Sequence, residues 1–290
     1  MKAIILAGGK GSRLFPLTIT NSKQLLPVYD KPMIYYPLSI VMMAGIKDVL
    51  IISSPEHLNF YKNLIGDGKQ LGINISYIVQ LKPEGIAQAF ILGEEFIKND
   101  SCLLILGDNI LYGHGLQRLL NQAINRCETE NSAVVLGYPV KNPTEYGVAE
   151  MRDDEVISIE EKPKQPKSHN AVIGLYIYPN DVAKKAKEIT KSERGELEIT
   201  SLNNLYIREK RLRIELLGRG YAWFDSGTHT SLLEAANFIK TIQDRQGLYI
   251  GCIEEIALKQ NFISKSELGA YLENNSGNSD YMKYLKNLTL

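Results

Sequence analysis

Ala3-Ile4-Ile5-Leu6-Ala7-Gly8-Gly9-Lys10-Gly11-Ser12-Arg13-Leu14 joins a short apolar run to three glycines and an arginine. Four consecutive aliphatic residues without polar alternation suit a strand buried on both faces of a parallel sheet. The glycines permit positive φ and let successive backbone N–H groups approach an anion closely, and Arg13 adds a bidentate charge beside them. Such a loop points to an anion held at a backbone turn.

Two common versions of this loop do not fit. A dinucleotide-binding loop needs a third glycine where Leu14 stands and an acid closing the second strand, which here runs into Ser53-Ser54. NAD is therefore not expected. A Walker A loop needs Gly-Lys-Ser/Thr after four intervening residues, whereas this chain reads Gly11-Ser12-Arg13 with its lysine earlier.

Further apolar runs at 49–52, 75–79, 103–106 and 133–136 alternate with helical patterns near 32–44, 56–65, 84–97 and 116–126. That alternation predicts a three-layer α/β fold with a doubly wound, mostly parallel, Rossmann-like sheet. After Tyr138, alternating runs at 148–151, 156–160 and 172–178 surround a Pro- and Lys-rich loop at 162–169, predicting a small antiparallel β insertion beside the main sheet. A helix pair at 180–189 and 199–209, a strand at 213–217 and a mainly helical part from Ser231 follow, with a polar loop at 273–280. The expected division is an α/β domain over 1–230 and a helical C-terminal region over 231–290 packed on it.

Thirty-three basic residues balance 33 acidic ones, so the net charge gives no reason to expect nucleic acid or an anionic membrane as partner. Cys102, Cys127 and Cys252 are scattered and odd in number, which argues against a disulfide framework or zinc site and for a reducing, cytoplasmic setting. The apolar start at Ala3 to Ala7 is shorter than the ~7 to 15 residues of a signal-peptide core. The run at 33–44 falls below the ~18 residues of a membrane span and contains Pro37. His57, His114, His169 and His229 form no catalytic or metal-ligand spacing.

Two carboxylates stand out. Asp108 follows the apolar Leu104-Ile105-Leu106-Gly107 at the carboxyl end of a buried strand, where open α/β sheets bind ligands. Asp225 lies in Ala222-Trp223-Phe224-Asp225-Ser226-Gly227-Thr228, with Ser226 or Thr228 available to cap the next helix. Capping alone would explain either; the pair suggests more.

The glycine loop is followed by Ser22-Lys23-Gln24-Leu25-Leu26-Pro27-Val28. Together, Leu6-Ala7-Gly8-Gly9-x-Gly11-Ser12-Arg13-Leu14 and Lys23-Gln24-Leu25-Leu26-Pro27 resemble the signature of the sugar nucleotidyltransferases, which usually carry Thr where Ser12 stands. The resemblance implies that Gly8, Gly9, Gly11, Ser12, Arg13, Gln24 and Asp108 bind a nucleoside triphosphate, and that Asp108 and Asp225 hold Mg²⁺. It makes Arg13, Lys23 and Lys162 the catalytic cations. In Ile159-Glu160-Glu161-Lys162-Pro163, it has Glu161 accept sugar hydroxyls and Lys162 bind the sugar phosphate with help from Arg194, which places sugar binding on the insertion at about 140–180.

Nearly the whole chain is similar to the branch of that family that joins dTTP to glucose 1-phosphate, most specifically at 23–37 and in Arg219-Gly220-Tyr221-Ala222-Trp223. By that likeness Gln80 and Gly85 read thymine, and Asn109, Tyr146, Gly147, Val172 and Tyr176 line the sugar pocket. It implies dTDP-glucose as product, the first step of dTDP-deoxysugar synthesis of the dTDP-rhamnose type, and a homotetramer. Tyr112, Gly113, His114 and Arg219 would form any feedback site. The UTP-glucose branch typically carries Gly-Leu-Gly-His-Ala where this chain reads Gly85-Ile86-Ala87-Gln88-Ala89. A sensor that binds without turnover is the competing role; it would be expected to have lost a metal carboxylate or Lys162, and neither is lost.

Overall fold

A computed structural model describes residues 1–290 except Asp154 and Ser276. β1 (Lys2–Leu6) leads through a short hairpin, β2 (Pro27–Val28) and β3 (Lys31–Pro32), into α1 (Tyr35–Met43) and β4 (Asp48–Ser53). Then come α2 (Leu58–Ile65), β5 (Asn74–Val79), α3 (Gln88–Leu92), α4 (Glu94–Ile97) and β6 (Cys102–Leu106). The middle of the chain forms β7 (Ile110–Gly113), α5 (Leu116–Glu130), β8 (Ala133–Pro139), β9 (Gly147–Arg152), β10 (Glu155–Glu161) and β11 (Asn170–Tyr178). It ends with α6 (Val182–Glu188), α7 (Ile199–Arg208), β12 (Leu212–Leu216), β13 (Tyr221–Phe224) and helices α8 (His229–Gln246), α9 (Ile253–Lys259), α10 (Lys265–Asn274) and α11 (Asp280–Thr289).

β5, β4, β1 and β6 are parallel neighbours in that order, and β11 runs antiparallel to β6. β8 pairs with the other edge of β11, and β12 lies parallel to β8. Successive side chains divide between the two faces, as a pleated strand requires. Ala3, Ile5, Val49, Ile51, Leu103 and Ile105 join one core with α1, α2 and α5, while Ile4, Leu50, Ile52 and Leu104 join a second with α3, α6 and α7. The three layers and the doubly wound sheet are as the apolar runs predict.

The antiparallel segment is joined to this sheet rather than standing apart from it. β11 is inserted between β6 and β8 because both its faces are apolar: Ile173, Leu175 and Ile177 enter one core, and Val172, Tyr176 and Tyr178 the other. β9 and β10 form a hairpin at its end. The predicted helix at 84–97 begins only at Gln88 and breaks at Gly93, a poor helix residue. The two-stranded ribbon of β7 and β13 was not evident in the sequence, since four half-buried residues carry little periodic signal. The loop expected at 273–280 is shortened by α10 and α11, and Ser276 lies outside the described residues. Among the described residues no helix is long and apolar enough to cross a membrane.

The C-terminal helices are tied to the β2–β3 hairpin through buried charge. Lys31 Nζ pairs with Asp30 and lies over the rings of Tyr36, Tyr249 and Tyr281 at 5.2, 5.5 and 5.8 Å. Gln243 of α8 donates to Asp30, and Tyr281 of α11 donates to the buried Glu254 of α9. Burial pushes the Glu254 carboxyl above its ordinary 4.5, against the smaller downward pull of Tyr281 and Lys31. Below that pH the group is protonated in both folded and unfolded chains. As the pH rises past it the unfolded chain ionises first, so the folded state loses about 1.4 kcal/mol per pH unit until the folded pKa is reached. Glu254→Gln is expected to abolish this decline in urea-unfolding midpoints, whereas parallel pH profiles for wild type and variant would show that Glu254 does not contribute it.

Candidate active site

The glycine loop leaves β1 held by hydrogen bonds from both neighbours. Ala7 N–H donates to the Ile52 carbonyl at 2.8 Å, Ser53 Oγ donates to the Ala7 carbonyl at 3.0 Å, and Gly107 N–H donates to the Leu6 carbonyl at 2.9 Å. The chain therefore enters the loop at a fixed height above the crevice where strand order reverses, the usual ligand position of open α/β sheets. A Cβ at Gly8 would stand 2.2 Å from Gln80 Oε1. Gly11, at φ 57°, turns the loop into the short helical turn at 12–14, and Thr18 Oγ1 ties down its carbonyl at 3.0 Å.

The second segment, at 23–25, returns Lys23 beneath this loop. Its ammonium donates to Asp108 Oδ2 at 2.6 Å and to the Asp225 carbonyl at 3.2 Å. The ribbon explains how two carboxylates 117 positions apart arrive together: Phe224 pairs with Ile110, so continuing the register sets Asp225 opposite Asn109. Asn109, 3% exposed, donates to Asp108 Oδ1 and accepts from Trp223 Nε1 at 2.6 Å and Gly174 N–H at 3.1 Å. The shift in the β11–β8 register between Val172 and Tyr176 brackets that glycine.

Glu161 ends β10 opposite Gly147 of β9, and Thr200 of α7 donates to its Oε2 at 2.7 Å. Lys162 follows at φ 46° and donates its N–H to the Tyr146 carbonyl at 3.0 Å. The Tyr146 ring meets Trp223 edge-on at 5.2 Å, and burial, then the Asp225 charge, pushes its hydroxyl pKa up to about 12. Burial likewise raises the Tyr176 hydroxyl, helped by Glu161 and Asp108. Arg194 is already engaged: Glu196 at 2.6 Å and Glu198 at 3.2 Å hold its guanidinium and raise its pKa.

These groups surround two connected spaces. A cavity of about 430 Å³ is lined by Asp108, Asn109, Tyr146, Gly147, Glu161, Lys162, Val172, Tyr176, Arg194 and Asp225. A crevice of about 220 Å³ is lined by Gly8, Gly9, Gly11, Ser12, Lys23 and Gln24. Arg13 and Asp108 line both. Gln80 and Gly85 line neither; Gln80 packs against Gly8, and Gly85, at φ 104°, lies against the Leu197 backbone. Trp223 and Thr200 were not nominated from the sequence, because their use depends on the ribbon and on α7 crossing β10. Tyr112, Gly113 and His114 line a separate cavity of about 500 Å³ with Gln246, Glu255 and Gln260, and Arg219 is not among its lining residues.

Residues 2–242 match the Nucleotidyl transferase family. The chain belongs to the nucleotidyl transferase family. It is 52% identical over 289 residues to a glucose-1-phosphate thymidylyltransferase of Neisseria meningitidis, with 99% of each chain covered. One of Xanthomonas campestris is 53% identical over 98% of this chain and 95% of its own. A crystal structure from Bacillus anthracis of a protein assigned the same activity, in complex with a sucrose, is 41% identical with a TM-score of 0.74, covering 82% of this chain and 94% of that one. A UDP-glucose pyrophosphorylase complexed with UDP-glucose is 26% identical with a TM-score of 0.72, covering 83% and 98%.

In this nucleotidyl transferase the contact of Gly8 with Gln80 leaves no room for a methyl group. Gly8→Ala is expected to displace the Gln80 amide and weaken nucleoside triphosphate binding about tenfold, roughly 1.4 kcal/mol, while the melting temperature changes little. Titration calorimetry with the triphosphate reads the effect; unchanged affinity would mean that the loop can shift to accept the methyl.

Proposed function

We propose that this enzyme transfers dTMP from dTTP to α-D-glucose 1-phosphate, releasing pyrophosphate and dTDP-glucose for dTDP-deoxysugar synthesis of the dTDP-rhamnose type. The choice of substrates rests on the thymidylyltransferases that are 52% and 53% identical over nearly the whole chain. The observation that carries the chemistry is the pair of spaces meeting at Arg13 and Asp108, one walled by glycine backbone and the other by Glu161, Lys162 and Arg194.

In this reading Gly8, Gly9, Gly11, Ser12 and Gln24 bind the triphosphate, and Asn109, Gly147, Val172 and Tyr176 shape the sugar side. Glu161, oriented by Thr200, accepts sugar hydroxyls, and Lys162 meets the sugar phosphate. Arg13 and Lys23 offset the mutual repulsion of the two anions, since one pair of unit charges at ~4 Å costs about 4 kcal/mol at an effective dielectric near 20. A sugar-phosphate oxygen attacks the α-phosphorus in line and pyrophosphate leaves, so no protein nucleophile is required and positioning supplies the rate.

Asp108 and Asp225 suit Mg²⁺, which takes one or two carboxylates and completes its shell with phosphate oxygens and water. Both acids line the larger cavity, and Asp108 also lines the glycine-walled crevice, so they stand where the two substrates would meet. Mg²⁺ there would neutralise phosphate charge. Lys23, within 2.6 Å of Asp108 and 3.2 Å of the Asp225 carbonyl, holds the two acids' segments together for it. The proposal also takes the chain to be a cytoplasmic homotetramer, with 1–230 as the catalytic part and 231–290 packed on it.

Pyrophosphate release with Mg²⁺, glucose 1-phosphate and each triphosphate in turn is expected to be fastest with dTTP; no product from dTTP would overturn the proposal. Asp108→Asn is expected to lower turnover by on the order of 100-fold, the scale for losing one electrostatic stabiliser in a closed site. Wild-type turnover in that variant would remove Asp108 from the metal site.

A further inference from the structure

Arg13 lines both the glycine-walled crevice and the larger cavity, yet no polar partner fixes its guanidinium. Lys23 is paired with Asp108, and Arg194 with Glu196 and Glu198, whereas among the described residues Arg13 forms no ion pair and no side-chain hydrogen bond. An arginine so placed keeps all its N–H donors for a ligand. Its position must then come from packing. The surface it packs on is Gly227, another residue of the crevice wall, where an added Cβ would stand 2.8 Å from Arg13 Nη2 and 3.2 Å from its Cζ.

Gly227 is the fixed member of this contact. It lies between the end of β13 and the start of α8. Ser226 before it is fully buried at φ 41°, and Thr228 after it caps α8: Thr228 Oγ1 accepts from Ser231 N–H at 3.1 Å, and Thr228 N–H donates to Ser231 Oγ at 3.0 Å. Gly227 N–H itself donates to Asp225 Oδ1 at 3.3 Å. Arg13, by contrast, is exposed, and its long side chain turns about single bonds. A methyl group at position 227 is therefore accommodated by withdrawal of the guanidinium. Gly227 lies outside the positive-φ region, so alanine meets no backbone strain there.

We propose that Gly227 is a positioning residue for Arg13: the bare backbone of the turn after β13 seats the guanidinium where the two spaces meet, and any side chain at 227 moves the cation away. This inference rests on the proposed nucleotidyl transfer, in which Arg13 offsets the repulsion between triphosphate and sugar phosphate. Such a displacement matters because catalysis by positioning is steep in distance, a misplacement of ~1 Å costing on the order of 100-fold. The neighbouring acid is left in place, since the same Cβ would meet Asp225 Oδ2 at 3.4 Å, an ordinary contact.

The test is a double-mutant cycle on kcat with dTTP and glucose 1-phosphate, over wild type, Gly227→Ala, Arg13→Ala and the double variant. Gly227→Ala is expected to lower kcat about tenfold, with a melting temperature close to wild type and an unchanged midpoint for activation by Mg²⁺. In the Arg13→Ala background the same methyl is expected to change kcat by less than about twofold, because the side chain it displaces is already gone. Should Gly227→Ala melt too low to assay, Gly227→Ser, which sets the same Cβ beneath a hydroxyl, is carried through the same cycle. Wild-type kcat in the 227 variant overturns the proposal. So does an equal loss with and without Arg13, or a shifted Mg²⁺ midpoint, since the methyl would then act through Asp225 or the turn itself. A wild-type enzyme without dTTP turnover, or wild-type kcat in Arg13→Ala, overturns the functional reading instead.

Discussion

One ammonium joins the parts of this site. Lys23 Nζ, on a side chain only 8% exposed, reaches the Asp108 carboxylate and the Asp225 carbonyl. It thereby ties the returning arm of the nucleotide loop to the end of β6 and the end of β13. A charge so poorly hydrated needs such partners, because burial without them costs several kcal/mol. The same requirement fixes the relative positions of the three segments. Around this point the cavity wall carries Arg13, Lys162 and Arg194 among six carboxylates, two of which, Glu196 and Glu198, are paired with Arg194.

Rigidity on the sugar side comes from hydrogen bonds that leave little choice of geometry. Asn109 Oδ1 accepts two N–H groups while its amide donates to Asp108, so Trp223, Gly174 and Asp108 are oriented by one side chain. Thr200 does the same for Glu161, and Glu196 with Glu198 for Arg194. Asn109 reaches Trp223 of β13 and Gly174 of β11, and Thr200 of α7 reaches Glu161 of β10, so these supports cross between elements. The pocket therefore depends on how α7, β10 and β13 are placed against the sheet.

The first half of the fold was legible because its strands are continuous apolar runs, a pattern produced when both faces of a sheet are covered. The segment after Tyr138 was legible as strands but not in its placement. Alternation in 172–178 suggests one buried face, yet Tyr176 and Tyr178 pack into a core beside Phe90 and Tyr206, so β11 enters the sheet interior. The loop residues Gly8, Arg13 and Lys23, and the acids Asp108 and Asp225, could be named from motifs. Trp223 and Thr200 could not, since nothing local marks an indole or a hydroxyl that acts on a residue 114 or 39 positions away.

The amino-acid sequence by itself determined the layered α/β class, the glycine loop with its cations and the identity of the two strand-end acids. These follow from short-range chemistry: apolar periodicity, glycine's freedom at positive φ and the charge of neighbouring side chains. Tertiary structure alone decided that Asp225 faces Asn109, that Lys23 bridges two acids' segments and that Gly227 lies against Arg13. Those depend on strand register and on hydrogen bonds closed across the fold, where a shift of one residue would turn each side chain away from its partner.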